Sequence, residues 1–376
     1  MSAGRRSLLE LSAMLPRRGR KDEPIVDCTL VCNVTAGDRQ TFYAFAYDKF
    51  TTSSSNNGPA TVDVDIGDEY YLRNYRYTGY SYTYTFVRTS DSLELRLHDG
   101  NFISLGWFSN GGSGHAAQDG AVSATVSDII KELAYCCFYN CSNLASVTGM
   151  KNVVRVQSNA FYNCKSIEAM NFASPLEFIG SQAFYNCNEC DFSVTISDGC
   201  ELGASAFSGC YKLRGVKFLG RVSVSGTSQF VNCRAIGGDT ANAFLLALSG
   251  TTVNVSANTF SGCSGIEDVV VPSGFTTISS RSFGACTGLK RFSVPSSVVA
   301  FNASAFRTLT SYLVGDGLVI EMIGRTMAEV KAIKSTTSAS SAAGFPFGLE
   351  PTQTKEQAVF HCSDGYMDCA GNPVEM

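Results

Sequence analysis

Cysteine carries most of the chemistry this chain has on offer. The 376 residues include 15 cysteines. Seven of them, Cys141, Cys164, Cys187, Cys210, Cys233, Cys263 and Cys286, each stand three residues after a phenylalanine. Thiols can bridge, hold zinc or attack an electrophile, and each use needs a different neighbourhood. Bridging seven equivalent thiols would pair neighbours, leave one over and distort the register at every pair. Cys187-x-x-Cys190 has the spacing of a zinc half-site. Cys187 nevertheless belongs to the regular series, and no second CxxC or nearby histidine completes four ligands. His361 and Cys362 are adjacent, so on a strand they point to opposite faces and form no dyad. The only other histidines are His98 and His115. Glu94, His98 and Asp99 make no recognisable acid/base pair, and Glu267/Asp268 reads as a solvated strand edge. The chain has no P-loop, no G-x-S-x-G elbow and no HExxH. These residues predict no catalytic group, no metal and no cofactor, with the serial cysteines as free, buried thiols.

A repeat explains the serial cysteines. Phenylalanine falls at 138, 161, 184, 207, 230, 260, 283 and 306, in steps of 23, 23, 23, 23, 30, 23 and 23. Cysteine follows each time until the last copy, where Leu309 takes its place. An aliphatic residue comes three residues later in most copies, and alternating apolar residues follow, as in Val216/Phe218 and Val269/Val271. Five residues before Phe, in most copies, stands another apolar residue, such as Val156, Ile179 or Ile278. A unit of this size cannot bury its own apolar face, but stacked copies can, each adding a strand ~4.8 Å from the last. The small residue before Phe (Ala160, Ala183, Ala206, Ser282, Ala305) leaves room at a corner, and the rings form a buried file. Two copies break the pattern. In the third, Ser193 and Thr195 occupy the inward positions, so either the strand slips by one residue or Phe192 and Val194 face outward. The fifth has Gly237, Gly238 and Asp239 there, followed by an insertion, TANAFLLALSGTT, with a helix-like Ala243–Leu248. It bulges from one face either as a partner-binding knob or as a packed elaboration.

Composition fits a β array. Hydrophobic residues are 44% and charged residues 16%, a low charge density that suits regular β structure or a subunit of an assembly. The net charge of −4 gives no general pull toward nucleic acid, and no apolar run reaches the ~20 residues of a membrane span. Residues 1–24 read as a basic arm without the apolar core of a signal peptide. The arm is either a disordered tail or a segment that orders on a partner. Residues 25–110 read as a small β-sandwich with strands at Cys28–Val34, Gln40–Tyr47, Thr61–Ile66 and Ser92–Leu97. Within it, Tyr75, Tyr77, Tyr80, Tyr82 and Tyr84 form a hairpin with an aromatic face. Residues 111–130 are a linker and N-terminal cap, with Asn110–Gly114 as the hinge. The solenoid spans 131–315. Residues 316–376 form a C-terminal cap: a helix started by the capping box Thr326-x-x-Glu329, a low-complexity linker at Ser335–Ala343, a strand at Val359–Cys362 and a turn at Asp364-Gly365.

The units "IGSQAFYNCNEC", "ELGASAFSGCYKL" and "TISSRSFGACTGLKRFSVPSS" resemble BspA-type leucine-rich repeats over about residues 130–310. The resemblance implies a solenoid with short parallel strands on one face, and a surface or interaction role without enzymatic activity. The stretch "GRTMAEVKAI…FPFGLEPTQTKEQAVFHCSDGYMDC" is similar to the tails of repeat proteins encoded by phages of gut bacteria. Together these imply a non-enzymatic phage virion component, a fibre, decoration or tail-associated protein attached through its arm and β-domain. The alternative is a secreted or surface-anchored bacterial adhesin. The expected partners are other virion or surface proteins and a host-surface glycan or protein, with the chain as a homo-oligomer or part of a larger assembly. The candidate contact surface is the outward strand face at Phe192, Lys217, Asp268, Val270 and Arg291, with the tyrosine hairpin as a second.

Overall fold

The computed structural model describes residues 28–33, 39–47, 60–65, 83–89, 92–98, 104–107, 120–250, 254–302, 304–306, 317–335 and 358–375. For the strands before residue 108 and for 334–335, the backbone is described. The basic arm, Tyr75, Tyr77, Tyr80, Tyr82 and the hinge Asn110–Gly114 lie outside these residues, as does most of the linker from Ser335. Tyr84 lies on a described strand, and its side chain lies outside the description. The chain divides into two compact units, Met1–Ser174 and Pro175–Met376.

The first unit holds β1 (Cys28–Asn33), β2 (Arg39–Tyr47), β3 (Ala60–Asp65), β4 (Thr83–Thr89), β5 (Ser92–His98), β6 (Ser104–Trp107), β7 (Ala121–Thr125), β8 (Glu132–Leu133), β9 (Ser146–Thr148) and β10 (Arg155–Val156). Two ladders run through it. In one, β4, β5, β1 and β7 pair antiparallel, and β7 then pairs parallel with β9. In the other, β3, β2 and β6 pair antiparallel, and β6, β8 and β10 pair parallel. The change from antiparallel to parallel marks where the chain begins to coil. Glu132 is fully buried there, accepting from Arg155 Nε at 3.2 Å and Gln157 Nε2 at 2.9 Å, as a buried carboxylate requires.

The second unit continues with β11 (Leu176–Ile179), β12 (Phe192–Leu202), β13 (Leu213–Phe218), β14 (Val222–Val224), α1 (Gly238–Leu248), β15 (Asn254–Val255), β16 (Asp268–Val270), β17 (Thr277–Ile278), β18 (Arg291–Val294), β19 (Ala300–Phe301), β20 (Leu318–Met322), α2 (Met327–Lys331), β21 (Lys334–Ser335), β22 (Ala358–Cys362), β23 (Gly365–Met367) and β24 (Pro373–Val374). The coils form a β-solenoid of eight Phe-centred turns, counted along the two units. Every coil but the fifth contributes to two parallel ladders. The alternating stretch after the cysteine makes the longer strands, and the apolar residue before Phe makes a second, two-residue ladder, as in β15–β17–β19–β21. The resemblance implied short parallel strands on one face, and the two-residue ladder is an addition to them. The second ladder forms because each pre-Phe residue lies one strand spacing from its counterpart.

The corner between the ladders is set by two left-handed residues per turn. One stands two before Phe (Asn159, Gln182, Asn258, Arg281) and one just before Cys (Asn140, Asn163, Asn186, Asn232, Ala285), all with φ between 51° and 59°. Gly209 and Gly262 fill the second position in their turns at φ 81° and 76°. Asn and Gly tolerate this region best. A Cβ on Gly209 or Gly262 would strike the side-chain oxygen of Asn186 or Asn232 in the turn before. Inside the corner the rings stack as expected: Phe138 on Phe161 at 5.2 Å in the first unit, and Phe184, Phe207, Phe230, Phe260, Phe283 and Phe306 at 5.3–6.2 Å in the second.

The two irregular turns resolve differently. In the third, the strand slips: the pairing of β12 with β13 shifts between Phe192 and Ser193, which turns Phe192, Val194 and Ile196 inward. In the fifth, α1 replaces the outer strand. Phe244 meets Phe230 and Phe260 edge-on at 5.1 and 5.8 Å, so the insertion is a packed element. α1 lies between two strand edges. Thr240 Oγ1 accepts the Val216 N–H of β13 at 3.3 Å. On the other side, the Asn242 amide accepts the Val270 N–H at 2.8 Å and donates to the Asp268 carbonyl at 3.4 Å. Asn242 thus stands in for the peptide group of the missing strand. Gly238 is required there because a Cβ would collide with the Asp268 carbonyl oxygen.

The end of the array closes as the sequence suggests. Thr326 and Glu329 form the capping box of α2, and Asp364 Oδ1 accepts the Met327 N–H at 2.8 Å. The Arg325 guanidinium, 8% exposed, donates to the Ser296 and Val298 carbonyls at 2.6 Å, occupying backbone groups that a further turn would otherwise pair.

Candidate functional site

The cysteine column is structural by its geometry. Each thiol from Cys164 to Cys286 is fully buried. Cys164, Cys210, Cys233, Cys263 and Cys286 donate to the carbonyls of Phe138, Phe184, Phe207, Phe230 and Phe260, one turn earlier, at 2.9–3.0 Å. Cys141 is buried at the head of the file, with Sγ 4.0 Å from the Tyr139 carbonyl. Burial pushes the Cys286 thiol up to about 12 and those of Cys233 and Cys263 well above the ordinary range. These groups stay protonated, which is the state a donor needs and a nucleophile does not. Cys187 and Cys190 are both fully buried, Cys190 in the aliphatic slot. Among the described residues no group of three or more His, Cys, Asp or Glu could hold a metal ion.

The sheet β16–β18–β20–β22–β23–β24 has an outer face of aligned side chains. Strand alternation turns Phe292, Val294, Ile320 and Phe360 into the core and their neighbours out. Parallel register then aligns the outward residues in rows. One row is Asp268, Arg291 and Val319. The next is Val270, Ser293, Glu321, His361, Tyr366 and Val374. Three of the sequence-predicted residues, Asp268, Val270 and Arg291, are exposed on this face. Arg291 Nε lies 3.7 Å from Asp268 Oδ1, and Lys290 Nζ lies 3.0 Å from Glu267 Oε2. Lys217 is exposed on β13, opposite Thr195 of β12. Phe192 is a correction: it is 1% exposed and packs against Phe184 and Phe207 at 5.6 and 6.3 Å. The strand slip that carries it inward removes it from any contact surface.

The ion pairs share a rule. Asp128–Lys151, Glu132–Arg155, Glu189–Lys212, Asp191–Arg214, Glu267–Lys290 and Asp268–Arg291 each join residues 23 apart, acid first. Exposed pairs of this kind contribute about 0–1 kcal/mol each. A coil slipped by one residue loses all of them, so they favour the native register.

Sequence reasoning missed the centre of the second row. His361 Nδ1 lies 2.6 Å from Glu321 Oε2, and the imidazole stacks on Tyr366 with centroids 4.3 Å apart and planes 12° apart. Cys362 beside it is buried, as opposite strand faces require. The signal was present in GLVIEM, whose alternation sends Leu318, Ile320 and Met322 inward and Glu321 outward. It was hidden because the last turn has Leu309 where the cysteine marker stands in the others.

The sequence pattern described as "BspA type Leucine rich repeat region" matches residues 118–237 and 243–313 in six copies. Among solved structures, the chain is similar to a leucine-rich repeat protein from Bacteroides ovatus ATCC 8483, with 17% identity, a TM-score of 0.43 and coverage of 66% of this chain. The match spans 65% of that protein's length. It is also similar to a leucine rich cell surface protein from Faecalibacterium prausnitzii A2-165, with 18% identity, a TM-score of 0.26 and coverage of 58% of this chain and 83% of that one. No curated protein matches the chain.

Proposed function

Because the chain belongs to the BspA-type leucine-rich repeat family, we propose that it is a non-enzymatic binding and structural protein whose working surface is the outer face of the β16–β24 sheet. The observation that carries this reading is the row of register-aligned side chains from Val270 to Tyr366. Parallel coils hold its members at fixed spacing, and a preorganised face loses little entropy on binding. The partner is a protein or glycan of a cell or particle surface. Binding of the full chain to intact cells of gut bacteria, compared with Arg291→Ala and Asp268→Ala, tests the reading. Weakened binding with an unchanged melting temperature supports it, and identical binding by all three proteins removes it.

Within this reading, the chain is a phage virion component. The similarity of residues 324–369 to the tails of phage-encoded repeat proteins supports that assignment over a bacterial surface adhesin. A mass-spectrometric census of purified particles and of bacterial envelope fractions separates the two: peptides in particles favour the virion role, and peptides confined to envelopes favour the adhesin.

A further inference from the structure

We infer that the chain pairs with a second copy of itself, face to face and antiparallel, about a two-fold axis over α1. The inference does not rest on the binding face proposed above. It rests on a charge pattern that complements its own reversal. Four residues after the ladder cysteine, turns three to seven carry Asp191, Arg214, Gly237, Glu267 and Lys290. The order along the column is minus, plus, none, minus, plus. The four charged side chains are 50–66% exposed, and each acid lies beside the base of the next turn. Gly237 stands at the centre with open space where a side chain would project. α1, which follows it, is tied to β13 on one side and to β16 on the other. The helix therefore sits midway between the two charged blocks.

Reversing the order of this column also reverses its signs. A second copy laid on the face with its turns in the opposite order sets Asp191 against Lys290 of the copy and Arg214 against Glu267 of the copy. The two-fold repeats both contacts on the other side of the axis. With the turns in the same order, each charge meets its own counterpart. A slip of one turn sets Asp191 against Glu267 of the copy, or Arg214 against Lys290 of the copy. The charges thus select one orientation and one register, which is what exposed pairs do best, since each contributes little affinity. The apolar anchor lies on the axis. Asp239, Ala243 and Leu246 form the outer stripe of α1 at i, i+4 and i+7, and each meets its own copy. Leu246 is 65% exposed, more than any other large apolar side chain described. A leucine pair at the centre of an interface, ringed by polar contacts, is placed where binding energy concentrates. Asp239 facing itself opposes the contact. Five turns at ~4.8 Å and a six-residue strand at ~3.3 Å per residue give roughly 500 Å² per chain, or about 1,000 Å² in all. That is the low end for a specific interface, so the dimer should form at micromolar concentration.

The test is sedimentation-velocity ultracentrifugation of the purified full chain across the micromolar range. The wild type should pass from one chain to two and stop there, as a closed two-fold requires. Arg214→Glu and Lys290→Glu should each weaken association at least about tenfold, because each sets two acids face to face at both ends of the interface. Leu246→Ala should weaken it about tenfold, and Asp239→Asn should tighten it about threefold. The combined inversion Asp191→Lys, Arg214→Glu, Glu267→Lys and Lys290→Glu restores every pair in the opposite sense and should return to within about threefold of the wild type. The tightened and inverted variants keep the test decisive if a weakened variant fails to fold. A wild type that stays monomeric, a dimer indifferent to Arg214→Glu and Lys290→Glu, or an inverted column no better than Arg214→Glu would overturn the inference. The dimer shares β16 and β18 with the binding face, but sedimentation is read without cells. A monomeric chain whose cell binding still depends on Arg291→Ala removes the dimer and leaves the binding face. A dimer whose cell binding ignores Arg291→Ala and Asp268→Ala does the reverse.

Discussion

Replacing Cys263 tests whether its thiol is a hydrogen-bond donor or merely a small apolar filler. Its Sγ lies 2.9 Å from the Phe230 carbonyl oxygen and is fully buried. That carbonyl also accepts the Cys233 N–H at 3.1 Å, so losing the thiol leaves it with one partner. Cys263→Ala deletes one buried heavy atom and leaves a small cavity, costing about 1–1.5 kcal/mol. The lost hydrogen bond adds about 0.5–1 kcal/mol, for a total near 2 kcal/mol. Cys263→Ser retains a donor at the same place and costs about 1 kcal/mol. At about 2–4 °C per kcal/mol for a unit of this size, alanine lowers the melting temperature by about 4–8 °C and serine by about half as much. Differential scanning calorimetry of the full chain reads this directly, with urea midpoints at unchanged slope as the check. A pure filler reverses the order, because serine would then bury an unpaired hydroxyl at about 1–3 kcal/mol. Serine as damaging as alanine, or more so, refutes the donor role.

Three other outcomes follow from the same structure. Ala285 holds φ 55° without a glycine or asparagine, so Ala285→Gly should stabilise the chain by about 0.5–1 kcal/mol, visible as a raised urea midpoint. The thiols of Cys286, Cys136 and Cys369 are pushed by burial from 9.0 up to about 12. A folded value above the unfolded one means that their stabilisation is complete below pH 9 and drains away as pH rises from 9 toward 12. The melting temperature should therefore fall above pH 9, and Cys286→Ala should flatten that slope by up to about 1.4 kcal/mol per pH unit. Asn242→Ala should cost about 1–2 kcal/mol, because it leaves the Val270 N–H without its acceptor. It also bares the β16 edge, so concentration-dependent association beyond two chains should appear in analytical ultracentrifugation.

Much of the fold was legible because a stacked coil writes its core into the sequence at a fixed period. The Phe file, the thiol column and the capping box at Thr326 needed only spacing and residue type. The Asn or Gly before every ladder cysteine except Cys286 carried a further signal, the left-handed corner, visible in the YNC and SGC triplets. The slip at Phe192 was not legible. Inward Val194 and inward Ser193 differ by one residue, and only pairing with β13 decides between them. The helix α1 was read as starting at Ala243, whereas it starts at Gly238; Gly and Asp have poor helix propensity, and tertiary packing overrides it. The candidate face was half legible. Asp268, Val270 and Arg291 followed from counting after a cysteine, while Glu321, His361 and Tyr366 lie beyond the last cysteine of the column, where only cross-strand register brings them together.

The most direct measurement is cysteine alkylation followed by mass spectrometry, on the native chain and on the denatured chain without reductant. Stacked coils with buried donor thiols predict that the thirteen cysteines whose side chains are described, all free and buried, resist alkylation in the native protein and are all modified once it is unfolded. Disulfide-linked peptides from the column, or rapid native labelling of Cys210, Cys233 or Cys263, would contradict the stacked-coil structure on which the binding face depends.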